Sequence, residues 1–263
     1  MTELELLRVL LLASVGIAPL STRLFGPLPR GWFAAYGLGV ASVAGALFVL
    51  PWLAVIWPVF CLGNLAWVLR GRLPRSLPEV AGAVPFAFSL VAATWIVGGT
   101  NDLQILGYGP HFSFYAALHG NVLGWMLVGA LAALARREGS RLYVAAVLVC
   151  FVSFLLVAVG IDVSATLKPI GVAGLTLAIP IAQLAFLVDA RHDRAALGAG
   201  LVSLVTLAVT LGLAWLNELG RLTLGPIGSV RAMVAVHGVM NVLVVGPAML
   251  WAVHRHLRAR AAR

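Results

Sequence analysis

The sequence predicts an all-α, polytopic membrane protein with about nine transmembrane helices, and three observations predict it. Of the 263 residues, 62% are hydrophobic and only 10% are charged, whereas about 25% of the residues of a soluble domain are charged. The mean hydropathy is +1.03. Apolar stretches of about 20 residues recur, long enough for a helix to cross a hydrocarbon core of roughly 30 Å. The chain lacks the alternation that predicts a β-barrel.

The predicted spans run from one polar or Pro/Gly break to the next. Every loop between them is short, and the longest polar intervals are 70–78 and 99–110. We therefore predict one integral membrane domain over residues 1–263. In order, the spans are 4–21, 31–49, 51–69, 78–98, 111–135, 141–161, 168–188, 195–216 and 229–253.

The first span has two interpretations. A signal peptide would begin with basic residues and end at a small-x-small cleavage site. Here Glu3 and Glu5 replace the basic residues, and no such cleavage site follows. We therefore expect a retained first helix.

The basic residues predict the orientation, because lysine and arginine accumulate on the cytoplasmic side of short loops. If nine spans alternate, all but four of the 18 basic residues fall on one side. We predict a multi-pass protein of the cell membrane with its N-terminus outside and its C-terminus in the cytoplasm. The cytoplasmic set is Arg23, Arg30, Arg70, Arg72, Arg75, Arg136, Arg137, Arg141, Arg191, Arg194, Arg255, Arg258, Arg260 and Arg263; the outer set is Arg8, Lys168, Arg221 and Arg231.

The net charge of +9 does not indicate nucleic-acid binding, since the arginines lie at regular intervals at helix ends rather than on one face. Topology and anionic lipid headgroups account for them. Cys61 and Cys150 lie inside predicted spans, where a thiol behaves as a small hydrophobe. We predict neither a disulfide nor a metal pair from them.

Five positions recur at a constant offset of 118 residues. Leu106, Gly107, Ala117, His119 and Gly120 reappear as Leu224, Gly225, Ala235, His237 and Gly238. Residues 31–135 and 141–253 could then be two parallel four-helix repeats that follow one extra N-terminal helix, as in some transporter folds. A chance likeness remains the alternative.

The candidate site centres on two intramembrane histidines, because polar side chains in a membrane are costly and mark functional sites. His119 and His237 each lie eight residues past the outer start of a predicted span, about 12 Å deep at 1.5 Å per residue. His111, Tyr115 and His119 share one helix stripe, and so do Met233, His237 and Asn241. We predict a polar pocket that opens toward the outer leaflet.

Further polar residues complete the predicted site. The candidate catalytic residues are His119, His237, Asn121, Asn241, Glu218 and Asp102. The candidate substrate-binding residues are His111, Tyr115, Trp125, Asn217, Arg221 and Arg231.

Structural roles are open for the same residues. Either histidine could simply donate a hydrogen bond to a backbone carbonyl. Glu218 and Arg221, three residues apart, are typical of a solvated pair, and Asp162 and Lys168 of loop charges. Asn64 and Gln183 favour interhelical hydrogen bonds. We expect solvation for the histidines among the cytoplasmic arginines, which are His192, His254 and His256.

Two segments resemble a known family. The stretch "LGYGPHFSFYAALHGNVLGW", 106–125, and the later "VHGVMNVLVV", 236–245, resemble the two motif islands of YndJ-like bacterial membrane proteins. In the first, His119, Gly124 and Trp125 match the family pattern, and Asn121 stands where the family has a second histidine. In the second, His237, Gly238 and Asn241 match, but Val244 and Val245 replace Gly-Phe. The resemblance implies a polytopic helical fold with paired polar islands.

Three functions follow as hypotheses. The first is a cofactor-independent membrane isomerase, cyclase or hydrolase that uses acid–base chemistry on a hydrophobic lipid-like, isoprenoid or polyketide substrate. The second is a haem- or metal-binding redox or sensor protein with His119 and His237 as facing ligands, similar to histidine helices of haem–copper oxidase relatives. Asn121 is a poor metal ligand, which favours the first. The third is a small-molecule transporter with a site between repeats.

Overall fold

The computed structural model describes residues 1–70, 73–164, 166–221 and 225–262. Over these residues the protein is all-helical, with 83% helix and no strand. Nine helices follow one another along the described chain: α1 Glu3–Phe25, α2 Trp32–Phe48, α3 Pro51–Leu69, α4 Leu77–Thr100, α5 Pro110–Glu138, α6 Arg141–Asp162, α7 Leu167–Asp189, α8 Arg194–Glu218 and α9 Val234–Ala261.

Eight of these helices are long and apolar enough to cross a membrane. The exception is α2, where we predicted a span over 31–49. It has 17 residues, about 26 Å at 1.5 Å per residue. The predicted last span also begins too early, because residues 227–230 form a tight turn closed by an antiparallel bridge between Ile227 and Val230. Arg72, Leu224 and Arg263, which entered our predictions, lie outside the described residues.

The helix boundaries follow local chemistry. Thr2 and Glu5 form a reciprocal capping box at the start of α1. Pro110 opens α5 at a position where the missing N–H costs no hydrogen bond. Gly139 ends α5 with a φ of 66°, a left-handed conformation that glycine adopts without steric cost. The carboxylate of Asp193 accepts hydrogen bonds from the first turn of α8.

Helix α5 forms the core of the bundle. Of its most apolar stretch, 89% is buried, against 56% or less for every other candidate span. It packs against α1, α4, α6 and α9. Its glycines permit the close approach of α4, since a Cβ on Gly120 would lie 2.8 Å from the Cβ of Ala92, and one on Gly124 would lie 2.3 Å from the Cγ of Phe88.

Polar contacts join the helices at the C-terminal end of the bundle, the end at which α5 and α9 finish. Glu138 of α5 accepts a hydrogen bond from Arg260 at 2.6 Å and lies 3.2 Å from the Nε2 of His256. His256 is buried, so its predicted solvation is wrong. The pKa of Asp193 is lowered by the backbone N–H of Ala196 and by the neighbouring Arg255 guanidinium.

Two predicted interhelical hydrogen bonds are confirmed. The Nε1 of Trp32 in α2 donates to the Oδ1 of Asn64 in α3 at 2.8 Å. The Nε2 of Gln183 in α7 donates to the Oγ of Ser203 in α8 at 2.9 Å. Both amides are buried, where an unpaired polar group would be costly.

The close approach of α4 and α5 makes a prediction about stability. We expect Gly124→Ala to lower the free energy of unfolding by about 1–3 kcal/mol, as overpacked cores do, because the new Cβ meets the Cβ and Cγ of Phe88 within 2.4 Å. The matched control is Gly63→Ala in α3, where no atom lies within 4 Å of the added Cβ. Unfolding of both purified variants in detergent would measure the difference. Equal stability of the two variants would contradict this packing.

Candidate active site

The backbone departs from α-helical geometry at both motif islands, which contain His119-Gly120 and His237-Gly238 and which we call the His-Gly islands. His119 directly precedes a π-helical segment, Gly120–Leu127. His237 lies within a second one, Val234–Gly238, and Asn241 begins a third, Asn241–Val245. Such π-helical turns are rare and often occur at functional sites. The two islands that resemble each other in sequence therefore also share an uncommon backbone.

His237 is held by α8. Its Nδ1 lies 3.0 Å from the carbonyl oxygen of Thr210. The amide of Asn241 donates to the carbonyl oxygen of His237 at 2.7 Å, and the hydroxyl of Thr210 lies 3.4 Å from the Oδ1 of Asn241. His237, Asn241 and Thr210 thus form one polar group between α8 and α9.

His119, the last residue before the π-helical part of α5, is exposed. Its Nδ1 lies 2.8 Å from the carbonyl oxygen of Tyr115, one turn earlier in α5. The segments that carry the two histidines are neighbours in the folded chain: Gly120–Leu127 of α5 packs against Asn241–Val245 of α9, and Arg231, just before α9, donates to the hydroxyl of Tyr115 in α5 at 2.8 Å. We call these two side chains the histidine pair.

The tautomer of the neutral pair follows from its hydrogen bonds. A carbonyl oxygen only accepts hydrogen bonds, so Nδ1 carries the proton in both rings. The Nε2 of each ring then has a free lone pair. Among the described residues, neither Nε2 has a hydrogen-bond partner. The pair can therefore accept a proton from a ligand, or coordinate one, through these two nitrogen atoms.

Asn121 and Trp125 lie away from the histidine pair, in the core. The Nδ2 of Asn121 donates to the hydroxyl of Ser14 in α1 at 3.2 Å, and its buried Oδ1 has no partner. Trp125 is fully buried, with its ring centroid 6.1 Å from that of Trp57. Asn121 therefore links α1 to α5, and Trp125 fills the space between α3 and α5.

A second polar group begins one helical turn from His119, at the N-terminal end of the bundle where α1 and α5 start, and we call it the N-terminal triad: Glu3, Tyr115 and Arg231. Arg231 binds the Glu3 carboxylate through two side-chain nitrogens, at 2.7 and 3.1 Å. The Tyr115 hydroxyl donates to Glu3 at 2.7 Å and accepts from Arg231 at 2.8 Å. The hydrogen bonds from Arg231 to Glu3 raise the pKa of the guanidinium, so it stays charged.

The triad connects three parts of the chain: the start of α1, the first half of α5 and the turn before α9. Tyr115 and Arg231 were among our predicted site residues, but Glu3 was not. A signal was present in the sequence, because the predicted topology already placed the N-terminus and Arg231 on the same side. Tyr115 joins the triad to the histidine pair through its carbonyl, which His119 binds.

The other predicted residues do not converge on the histidine pair. Glu218 forms an ion pair with Lys168 at 2.6 Å, so the predicted pairing of Glu218 with Arg221 is wrong. The predicted loop position of Lys168 is wrong as well, because Lys168 lies in the first turn of α7. The side chain of Asp162 lies outside the described residues. Exposed positions at helix ends or in loops are occupied by Asp102, His111, Asn217 and Arg221.

The equal spacing from the helix starts, from which we predicted that the two histidines share a depth, is wrong, and the equal depth itself stays a prediction. His119 lies nine residues after Pro110, whereas His237 lies three residues after Val234. The turn at 227–230 shortens the start of α9.

The whole pattern agrees with a family comparison. A family described as YndJ-like protein matches residues 9–245, which include both His-Gly islands and all three π-helical segments. This chain belongs to the YndJ-like family. No curated protein and no solved structure matches it. The resemblance inferred from two short motifs is confirmed over most of the chain.

The N-terminal triad makes a prediction for this YndJ-like protein. In a double-mutant cycle of Glu3→Gln and Arg231→Gln, we expect a coupling free energy of about 1 kcal/mol, at the upper end for exposed ion pairs, because the contact is bidentate and Glu3 is only 14% exposed. Unfolding in detergent at low and high salt would measure it, and salt should weaken it.

The Lys168–Glu218 pair is the matched comparison. Its members are 38% and 26% exposed, and one contact joins them. We expect a smaller coupling there, below about 0.5 kcal/mol. A coupling at Glu3–Arg231 that is no larger than at Lys168–Glu218 would show that the triad does not hold the three segments together.

Proposed function

We propose that this YndJ-like protein is a membrane-embedded, cofactor-independent enzyme that performs acid–base chemistry on a hydrophobic, lipid-like substrate. The observation that carries the proposal is the histidine pair: two imidazoles on neighbouring parts of α5 and α9, each with its Nδ1–H donating to a carbonyl and its Nε2 without a partner among the described residues. Imidazole exchanges protons near neutral pH, and a positioned imidazole is the commonest general acid or base in enzymes.

The two imidazoles can take complementary roles. Because like charges repel, protonation of one ring favours the neutral form of the other. The pair then offers one proton donor and one proton acceptor, which is what an isomerisation, a cyclisation or a hydrolysis needs. Thr210 and Asn241 fix the position of His237, so Asn241 is a positioning residue in this proposal.

A hydrophobic substrate suits the apolar outer surface of the bundle. Eight of the helices are long and apolar enough to span a membrane, and many large apolar side chains of α6, α7 and α8 are exposed on the outside of the bundle, including Val152, Ile181 and Val205. His119 is exposed as well. A substrate dissolved in the bilayer could therefore reach His119 from the side, without crossing water.

A haem or metal site is the second candidate, and one observation favours it. Histidine ligands of metals usually donate their other ring N–H to a carbonyl or carboxylate, and both members of the pair do so. Among the described residues, no three or more His, Cys, Asp or Glu side chains group as metal ligands. Ligation would therefore take a two-histidine form, through His119 and His237.

Solvent labelling tests the proposed enzyme. Purified protein would be incubated with a bacterial total lipid extract in D2O and, separately, in H2 18O. We expect one lipid to gain deuterium on carbon for an isomerase or cyclase, or 18O for a hydrolase. His119→Asn and His237→Asn should each lower this label about 10²- to 10⁴-fold, as the loss of a general acid or base does. Mass spectrometry of the lipids would measure it.

His192→Asn is the matched control, because His192 is exposed at the far end of the bundle and, within the described part of the chain, bonds only to its neighbour Arg191. It should label lipids like the wild type. Labelling that survives in His119→Asn and His237→Asn would refute the proposal. A Soret band or bound metal in the wild type that disappears in His119→Asn would instead establish the second candidate.

A further inference from the structure

A cavity of about 460 Å³ lies at the C-terminal end of the bundle, the opposite end from the N-terminal triad. It is formed by the end of α1, the loop before α2, the last turns of α5 and the last turns of α9. Its volume falls within the range of about 300–1,000 Å³ that is typical of small-molecule sites. It is separate from the histidine pair, which lies in the first half of α5 and at the start of α9.

Cationic side chains dominate the polar lining of this cavity. Arg23 of α1, Arg137 of α5 and Arg258 of α9 converge there, together with His254. Arg258 and Arg23 line the same cavity as His254 and lie close enough to its ring for their charges to act on it. None of the described residues that line the cavity is acidic.

Among the described residues, no acidic side chain forms an ion pair with the arginines that line this cavity. Four acidic residues lie at this end of the bundle, and each is engaged elsewhere. Glu138 binds Arg260 and His256, Asp193 binds Arg255, and Asp189 accepts from Tyr143. The fourth, Glu79, binds the backbone N–H of Arg75.

The remaining walls are apolar, and they include Leu28, Phe33 and Leu257. Phe33 lies under the Arg23 guanidinium, 5.8 Å from ring centroid to Cζ, which restricts the direction of that side chain. Arginine forks match the geometry of phosphate oxygens, and basic pockets between helices at the cytoplasmic ends of membrane proteins bind lipid headgroups. An apolar wall beside a cationic one suits a phosphate that carries hydrocarbon chains.

We propose that this cavity is a binding site for a phosphate group, carried by an anionic phospholipid, with Arg23, Arg137 and Arg258 as the phosphate ligands. The site is independent of the proposed chemistry at the histidine pair. Its ligand class follows from the converging guanidinium groups, the absence of lining carboxylates and the apolar walls.

The test uses the full chain in detergent and native mass spectrometry with phosphatidylglycerol as the probe. We expect binding that weakens about 5-fold for each arginine replaced, and so about 25-fold in Arg23→Gln/Arg258→Gln. Zwitterionic phosphatidylcholine should bind weakly to both the wild type and the Arg23→Gln/Arg258→Gln variant. Arg137 is not used for the test, because its Nε also supports the backbone carbonyl of Leu24 at 2.8 Å.

Two controls separate binding from folding. Arg194→Gln removes an exposed arginine at the start of α8, outside the cavity lining, and should bind phosphatidylglycerol like the wild type. Arg23→Lys/Arg258→Lys keeps the charges but loses the planar forks, so it should bind with intermediate affinity. Thermal unfolding of all variants shows whether the fold is retained.

Inorganic phosphate distinguishes the two sources of the ligand. If millimolar phosphate leaves phosphatidylglycerol binding intact, the site is specific for the lipid, as expected. If it displaces the lipid in the wild type and has no effect in Arg23→Gln/Arg258→Gln, the phosphate site stands and free phosphate is its ligand. The proposal is overturned if phosphatidylglycerol binds equally to the wild type and to a folded Arg23→Gln/Arg258→Gln variant.

Discussion

The structure depends on the burial of α5 among its neighbours. A helix enclosed by α1, α4, α6 and α9 needs small residues at its closest contacts, and Gly120 and Gly124 supply them against Ala92 and Phe88. Once α5 is enclosed, its polar side chains must find partners on the surrounding helices, because water is excluded from most of its surface. The position of Tyr115 in the triad and of Asn121 against Ser14 both follow from this constraint.

The π-helical segments also relate to the close packing of α5 and α9 against their neighbours. A π-turn widens the helix locally and moves side chains relative to their α-helical positions. In α5 the π-helical segment begins directly after His119 and includes Gly124, which makes the tightest contact with α4. In α9 one π-helical segment contains His237 and the next begins at Asn241. Helix packing and the placement of the histidines are therefore coupled. A change at Gly124 would disturb the backbone that presents His119.

The length of the apolar stretches was sufficient to predict the helices, because an apolar run of about 20 residues is typical of a transmembrane helix. The pairing of partners was harder to predict. Spacing along one helix suggested Glu218 with Arg221, yet Glu218 pairs with Lys168 on the neighbouring helix, since helix ends meet in space and not along the chain. Glu3 was overlooked for the same reason. The turn at 227–230 gave no hydropathy signal, so the start of α9 was misplaced. The matching motifs around His119 and His237 correctly indicated that their helices are neighbours. The distances of the two histidines from the helix starts were predicted wrongly.

The contact between Glu3 and Arg231 joins residues that are 228 positions apart in the chain. The helices are synthesised in order, so α1 must remain in place through the synthesis of seven further helices before Arg231 emerges to neutralise its carboxylate. Such distant pairings form late and slow the folding of a protein. An intact triad therefore requires that Arg231, directly before α9, has been synthesised and has packed against α1. In a chain that stops before Arg231, the carboxylate of Glu3 has no arginine to neutralise it.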